Sequence, residues 1–253
     1  MKNAKYILLF VLLIPAAAFS QVRVKDSSIK VSMISFNFGI QKPYGEMADR
    51  FGSNSILGVS FMKKSKANLT WGADLNYHFG NDVKETSILD SLKTADGYVI
   101  DGNGMFTIVH LYQRGFSFFG KVGKIFPFKK PNPNSGIFVN AGLGFLQHKI
   151  RIEVVDNTIP QLLGDYKKGY DRLTNGITLS QYVGYFYMGN RRTVNFSLGL
   201  EIMEAFTKNR RDYNFDTMEK DDHLRMDLLI GLRLNWSIPF YSKNRLGKKT
   251  FYY

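Results

Sequence analysis

The chain has no cysteine in its 253 residues. That excludes a lipid-anchored N-terminal cysteine, a disulfide framework and a cysteine nucleophile. Beyond the first residues it has no run of roughly 20 apolar residues, so no later segment reads as a transmembrane helix. It has no Gly-rich phosphate loop, and no two of its four histidines have the spacing of metal ligands. These absences remove most enzyme and cofactor signatures, and no cofactor is expected.

What is present begins with a leader. Lys2 and Lys5 form a basic start, residues 7–14 an apolar run, and Pro15, Ala16, Ala17, Ala18, Phe19 and Ser20 a small-residue region. This is the three-part pattern of a signal peptide, with cleavage expected after Ser20 and Gln21 as the new N-terminus. The division is then 1–20 signal peptide and 21–253 one domain, ending in a tail over about 237–253. Aromatics make up 15% of the chain, which a soluble protein would have to hide in a core. A small membrane barrel places them outside and polar residues in its lumen, so the pattern must decide.

The pattern alternates. In 69–79, Leu69, Trp71, Ala73, Leu75, Tyr77 and Phe79 share one face, and Thr70, Gly72, Asp74, Asn76 and His78 the other. A period of two over about 9–11 residues suits a tilted strand crossing a bilayer. The same reading recurs at 34–40, 57–61, 116–122, 137–145, 177–187, 194–202 and 224–236, where Gln181 interrupts one apolar face and Phe119 falls on a polar one. Eight strands is an even number, as a bacterial single-chain barrel requires. The connections alternate too: 41–53, 80–114, 151–175 and 207–222 are long, and 63–68, 127–135 and 189–192 are short. The expectation is an all-β, antiparallel, eight-stranded transmembrane β-barrel of the outer membrane, with long extracellular loops and short periplasmic turns.

Residues 231–236 fit glycine, two variable residues, apolar, variable, aromatic, through Gly231, Leu234 and Trp236. This resembles the terminal-strand signal read by barrel-assembly machinery, although here a tail follows it. The leader ending before Gln21, the stretch 43–52 (with Pro43, Tyr44, Gly45, Met47, Arg50 and Phe51), the stretch 164–172 and the aromatic end Phe251, Tyr252 and Tyr253 carry a wider likeness. The chain resembles the small outer-membrane β-barrel proteins of Bacteroidota. The resemblance implies location and fold, no enzymatic activity, and an accessory role in envelope machines.

A barrel of this size has a lumen that side chains fill. The expected lumen network is Asp74, Lys121, Glu201, Arg225, Asp227 and Arg233, with charges paired inside. A plug is one reading of it and an ion path another; bulky inward Met33, Phe119 and Leu146 argue for the plug. His78, His110, His148 and His223 are expected at the extracellular rim or in loops, where Asp165, Asp222 or Ser180 could complete a catalytic set, although no motif fixes a nucleophile. The net charge of +13 is concentrated in the short turns and tail. Lys63, Lys64, Lys129, Lys130, Arg191, Arg192, Lys248 and Lys249 form the expected periplasmic basic rim, facing lipid headgroups or docking a partner. That placement argues against nucleic acid. Met47, Arg50 and Phe51 are expected to cover the barrel mouth. Tyr166, Tyr170, Arg172, Arg210, Arg211 and Tyr213 interleave aromatic and cationic side chains in the long loops, as partner surfaces do, or as packed loops do. The residues therefore point to an outer-membrane barrel in contact with outer-membrane lipid, and the resemblance implies that it is non-enzymatic, an accessory or scaffold subunit for outer-membrane assembly or secretion among other envelope proteins. A narrow pore and a lipid A-modifying surface enzyme are the alternatives.

Overall fold

Alternating side chains build a closed wall. The computed structural model describes residues 24–128, 130–155, 159–190 and 194–241. Eight long strands form the ring: β1 (Val31–Gly45), β2 (Asn54–Lys64), β3 (Leu69–Gly80), β6 (Val109–Pro127), β7 (Gly136–Val154), β8 (Thr174–Met188), β9 (Asn195–Asn209) and β10 (Leu224–Phe240). β4 (Val99–Ile100) and β5 (Phe106–Thr107) form a small ribbon within the longest loop. Every neighbour in the ring is antiparallel, and the ring closes where β1 pairs with β10, Phe36 opposite Trp236. Closure gives every strand of the ring a paired neighbour on both sides.

The outside is apolar. Phe36, Phe38, Leu57, Val59, Trp71, Leu75, Phe118, Val122, Leu143, Leu200 and Leu232 are all exposed. Burying one such side chain is worth about 1.5–3 kcal/mol, so about ten left in water would forgo more than an ordinary domain's stability of roughly 5–15 kcal/mol. Hydrocarbon is the solvent this surface fits, and the paired backbone satisfies the rule that no peptide group be left open in lipid. Among the described residues no helix is long and apolar enough to cross a membrane; the strands do the crossing.

The strands outrun their alternating patches. β6 and β7 are 19 residues each, and β10 continues through Phe240 rather than yielding to a tail at Ser237. Hydrogen bonding persists where the outward residue turns from apolar to charged, as at Lys42, Arg114, Lys149 and Lys208, so hydropathy alone ends each strand too early. Gln181 faces outward and Phe119 inward. Gly144 makes room for that ring: a Cβ there would lie 2.5 Å from Phe119 Cδ1.

Two apolar layers occupy the ends of the lumen. The extracellular layer joins Met47, Phe51, Ile56, Phe119, Leu146 and Leu229 to Ile88, Leu89 and Leu162 from the loops. The periplasmic layer joins Met33, Ile125, Phe138, Phe186 and Met188 to Val24 and Ile29 of the N-terminal segment. The leader with its cleavage point, Lys129, Arg191, Arg192, Lys248 and Lys249 lie outside the described residues.

Candidate functional site

Period two turns Asp74 (β3), Lys121 (β6), Glu201 (β9) and Arg233 (β10) inward, and they meet at mid-barrel. Arg233 Nη1 donates to both Glu201 oxygens, at 2.8 and 2.9 Å, and its Nη2 donates to Asp74 Oδ2 at 2.8 Å. Lys121 Nζ lies 2.8 Å from Asp74 Oδ2 and 2.7 Å from Glu201 Oε1. Ser180 also donates to Glu201, and Arg233 Nε donates to Asn235. Two cations balance two anions, each with further hydrogen bonds, as charges removed from water require. β3 and β6 stand across the ring from β9 and β10, so the network is a strut between opposite walls.

Asp227 is not part of it. Its carboxylate has a separate set of partners: Arg50 Nη2 at 2.8 Å, Thr207 Oγ1 at 2.6 Å and His148 Nε2 at 3.2 Å. Arg50 arrives from α1 (Met47–Arg50), the short helix after β1, whose Met47, like the following Phe51, is buried in the mouth. Phe51 meets the His148 ring edge-on. Arg225 departs further from the expected network. It is the second residue of β10, at the extracellular end, and pairs with Asp221 in the loop that precedes the strand, above the charged strut.

The histidines also differ from expectation. His78 and His148 lie inside the barrel, not on its rim, because β3 and β7 extend past them. His78 Nε2 is 2.8 Å from Ser117 Oγ, while Ser180 is bonded to Glu201. Ser117 is fully buried, so this pair offers no route to a substrate. His223 is exposed and pairs with Glu46 at 2.8 Å. Among the described residues no group of three or more His, Asp or Glu could hold a metal ion.

Ion pairs stitch the extracellular loops into a cap. Arg172 donates to Glu85 at 2.9 Å and to Asp216, joining three loops at one guanidinium. Burial opposes its charge, yet the two carboxylates outweigh that and hold its pKa above the ordinary value. Arg211 Nε donates to Asp171 at 2.7 Å. Tyr170 and Arg172 are therefore buried loop-to-loop contacts and not open partner residues, while Tyr166, Arg210 and Tyr213 are exposed.

At the other end Lys64 corrects the basic rim. Its ammonium is buried and donates to Ser28 Oγ (3.1 Å), the Ile29 carbonyl (3.1 Å) and Asn134 Oδ1 (2.8 Å). Asn134 in turn donates to the carbonyls of Val24 and Ser27. Strand parity turns Lys64 inward, where it pins the N-terminal segment across the barrel end; Lys63 and Lys130 are exposed. Apolar cap, charged strut and apolar floor thus close the lumen among the described residues, leaving between strut and floor a void of about 50 Å³, room for a few waters.

No protein-family model matches the chain, and neither does any curated protein. Solved structures similar to it include Neisserial surface protein A (12% identity, covering 83% of this chain and 97% of that one, TM-score 0.40). Ail, the attachment invasion locus protein of Yersinia pestis, is 7% identical, with 82% and 98% covered and a TM-score of 0.41. The outer membrane protein OprG from Pseudomonas aeruginosa is 14% identical, with 87% and 100% covered and a TM-score of 0.39. The chain's own features locate it. An even-stranded closed barrel, apolar outside and polar within, with loops long at one end and short at the other, belongs in the outer membrane, long loops outward.

Proposed function

We propose that the protein is a non-enzymatic accessory or scaffold subunit of an envelope machine for outer-membrane assembly or secretion, of the kind small barrels of Bacteroidota provide. The closed lumen supports this reading, because it leaves the outer surfaces to do the work. The loop ribbon adds a place for a partner. Tyr98, Ile100, Met105, Phe106 and Ile108 are exposed around β4 and β5, an apolar cluster on a cap held by ion pairs, and clusters of this kind mark interaction sites.

The test is affinity purification from mildly solubilised outer membranes. The wild type should retain envelope proteins, and a Tyr98→Ser, Met105→Ser, Phe106→Ser variant should release them while keeping heat-modifiable gel mobility. Steady ion-selective currents from the pure protein would favour the pore instead. Modification of lipid A by the pure monomer would favour the enzyme.

A further inference from the structure

Above the apolar belt, on the lipid-facing side of β6 and β7, cations crowd together. Arg114 stands directly opposite Lys149, and the next outward pair is Tyr112 with Arg151. Like charges facing each other across neighbouring strands repel. Lys167 of the adjacent loop is close enough to Arg151 and Lys149 to feel both. Burial first, and then those two charges, push its pKa below the ordinary lysine value. The carboxylates nearby do not balance the cluster. Glu153 pairs with Arg151 at 3.2 Å. Asp171 lies 3.8 Å from Lys149 but already accepts two bonds from Arg211.

Arg114 is held in place. It donates to the carbonyls of Gly80 and Gln113, at 3.2 and 2.7 Å, and its guanidinium lies 4.8 Å from the centre of the Tyr112 ring. An outward groove runs between Arg114, Lys149 and Arg151 above and Tyr77, Phe116 and Gln147 below. Phe118 and Phe145 continue the apolar surface downward. The groove therefore offers charge at headgroup height and hydrocarbon contact beneath it.

We propose that Arg114, Lys149, Arg151 and Lys167 bind a phosphate of an outer-leaflet glycolipid, with its acyl chains lying along Phe116 and Phe118. A lipid phosphate meets both halves of the groove, whereas a free anion would use only the upper half. The proposal rests on the sidedness of the barrel and not on the partner machine proposed above.

The experiment is native mass spectrometry of the intact mature protein in detergent, titrated with bisphosphorylated lipid A, with the same lipid A stripped of phosphate, and with inorganic phosphate. The phosphorylated lipid should bind at least about tenfold more tightly than the stripped lipid, as charge-assisted bonds to phosphate imply. A Lys149→Gln, Arg151→Gln, Lys167→Gln variant should lose that preference while keeping heat-modifiable mobility. If the triple variant fails to fold, Lys149→Gln alone, at an exposed side chain, should weaken the preference in the same direction. Equal binding of the two lipids, or an undiminished preference in a folded variant, overturns the proposal. Inorganic phosphate binding as tightly as the phosphorylated lipid overturns the lipid assignment in favour of a free-anion site. Loss of heat-modifiable mobility in the wild type would reject the membrane placement separately.

Discussion

Arg233 ties opposite walls of the lumen together, because its guanidinium reaches Glu201 on one wall and Asp74 on the other. Removing it leaves two buried carboxylates with only Lys121 between them. Breaking a buried pair in this way costs about 3–5 kcal/mol. Arg233→Ala should therefore lower the temperature at which gel mobility shifts, and planar bilayers should still show no conductance, since the apolar layers above and below are untouched. Lys63 and Lys64 give a sharper contrast, being neighbours that point to opposite sides of the wall. Lys64→Met removes the donor that holds the Ile29 carbonyl and Ser28, a loss of about 1–3 kcal/mol for a buried group left unsatisfied. Limited proteolysis should then cut within 24–30, while Lys63→Met, on the exposed side, changes stability within about 0.5 kcal/mol. Equal protease resistance of the two variants would contradict the pinning role.

At the scale of elements, the join between β1 and β10 has its own pH dependence. Glu46 accepts the Met226 amide at 2.9 Å and pairs with His223. The Met226 bond is the largest influence and, against a smaller opposing effect of burial, holds the carboxyl below its ordinary pKa of 4.5. A carboxylate with a depressed folded pKa stabilises above its unfolded pKa and loses that contribution as pH falls through the folded one. The protection of the Met226 amide, its exchange corrected for the intrinsic pH dependence, should therefore hold at and above the ordinary carboxyl pKa of 4.5 and be lost only below it, once the carboxyl takes up its proton. Glu46→Gln should abolish that step and leave exchange at Leu200 unchanged. The Glu46 contact also marks where the sequence stopped being legible. Period two placed Asp74, Lys121, Glu201 and Arg233 on one face, because the bilayer imposes apolar residues on the other. Above the belt that constraint ends, water accepts either kind of side chain, and the pattern falls silent while the hydrogen-bond ladder continues. His78 and His148 were therefore expected at the rim, and Arg114 and Arg151 as loop residues instead of neighbours on a lipid-facing wall, while parity turned Arg225 inward without giving its height in the barrel. Lys64 was read as a turn residue of the basic rim; its partners Ser28 and Asn134 are 36 and 70 residues away, beyond any local pattern.

For the whole molecule, the ends of the barrel are distinguishable from outside the cell. Met105→Cys, exposed beside β5, should react with a membrane-impermeant maleimide on intact cells, and Lys130→Cys in a short turn should react only after lysis. The reverse result would invert the topology. The height of the wall is also uneven. From Val109 to Tyr112, β6 continues beyond β3, paired only with Arg151 to Val154 of β7, a rise of roughly 14 Å along the strands. β1 and β2 stop lower, joined by α1 and a few residues. Ile150 and Ile152 on the inner side of the tall hairpin are buried against the loops, so the loops lean on it as on the back of a chair. The mouth thus has a high back and a low front. A visitor arriving from the β6–β7 side meets a parapet, while one from the β1–β2 side passes over a sill. Direction of approach to the mouth is thereby written into strand length.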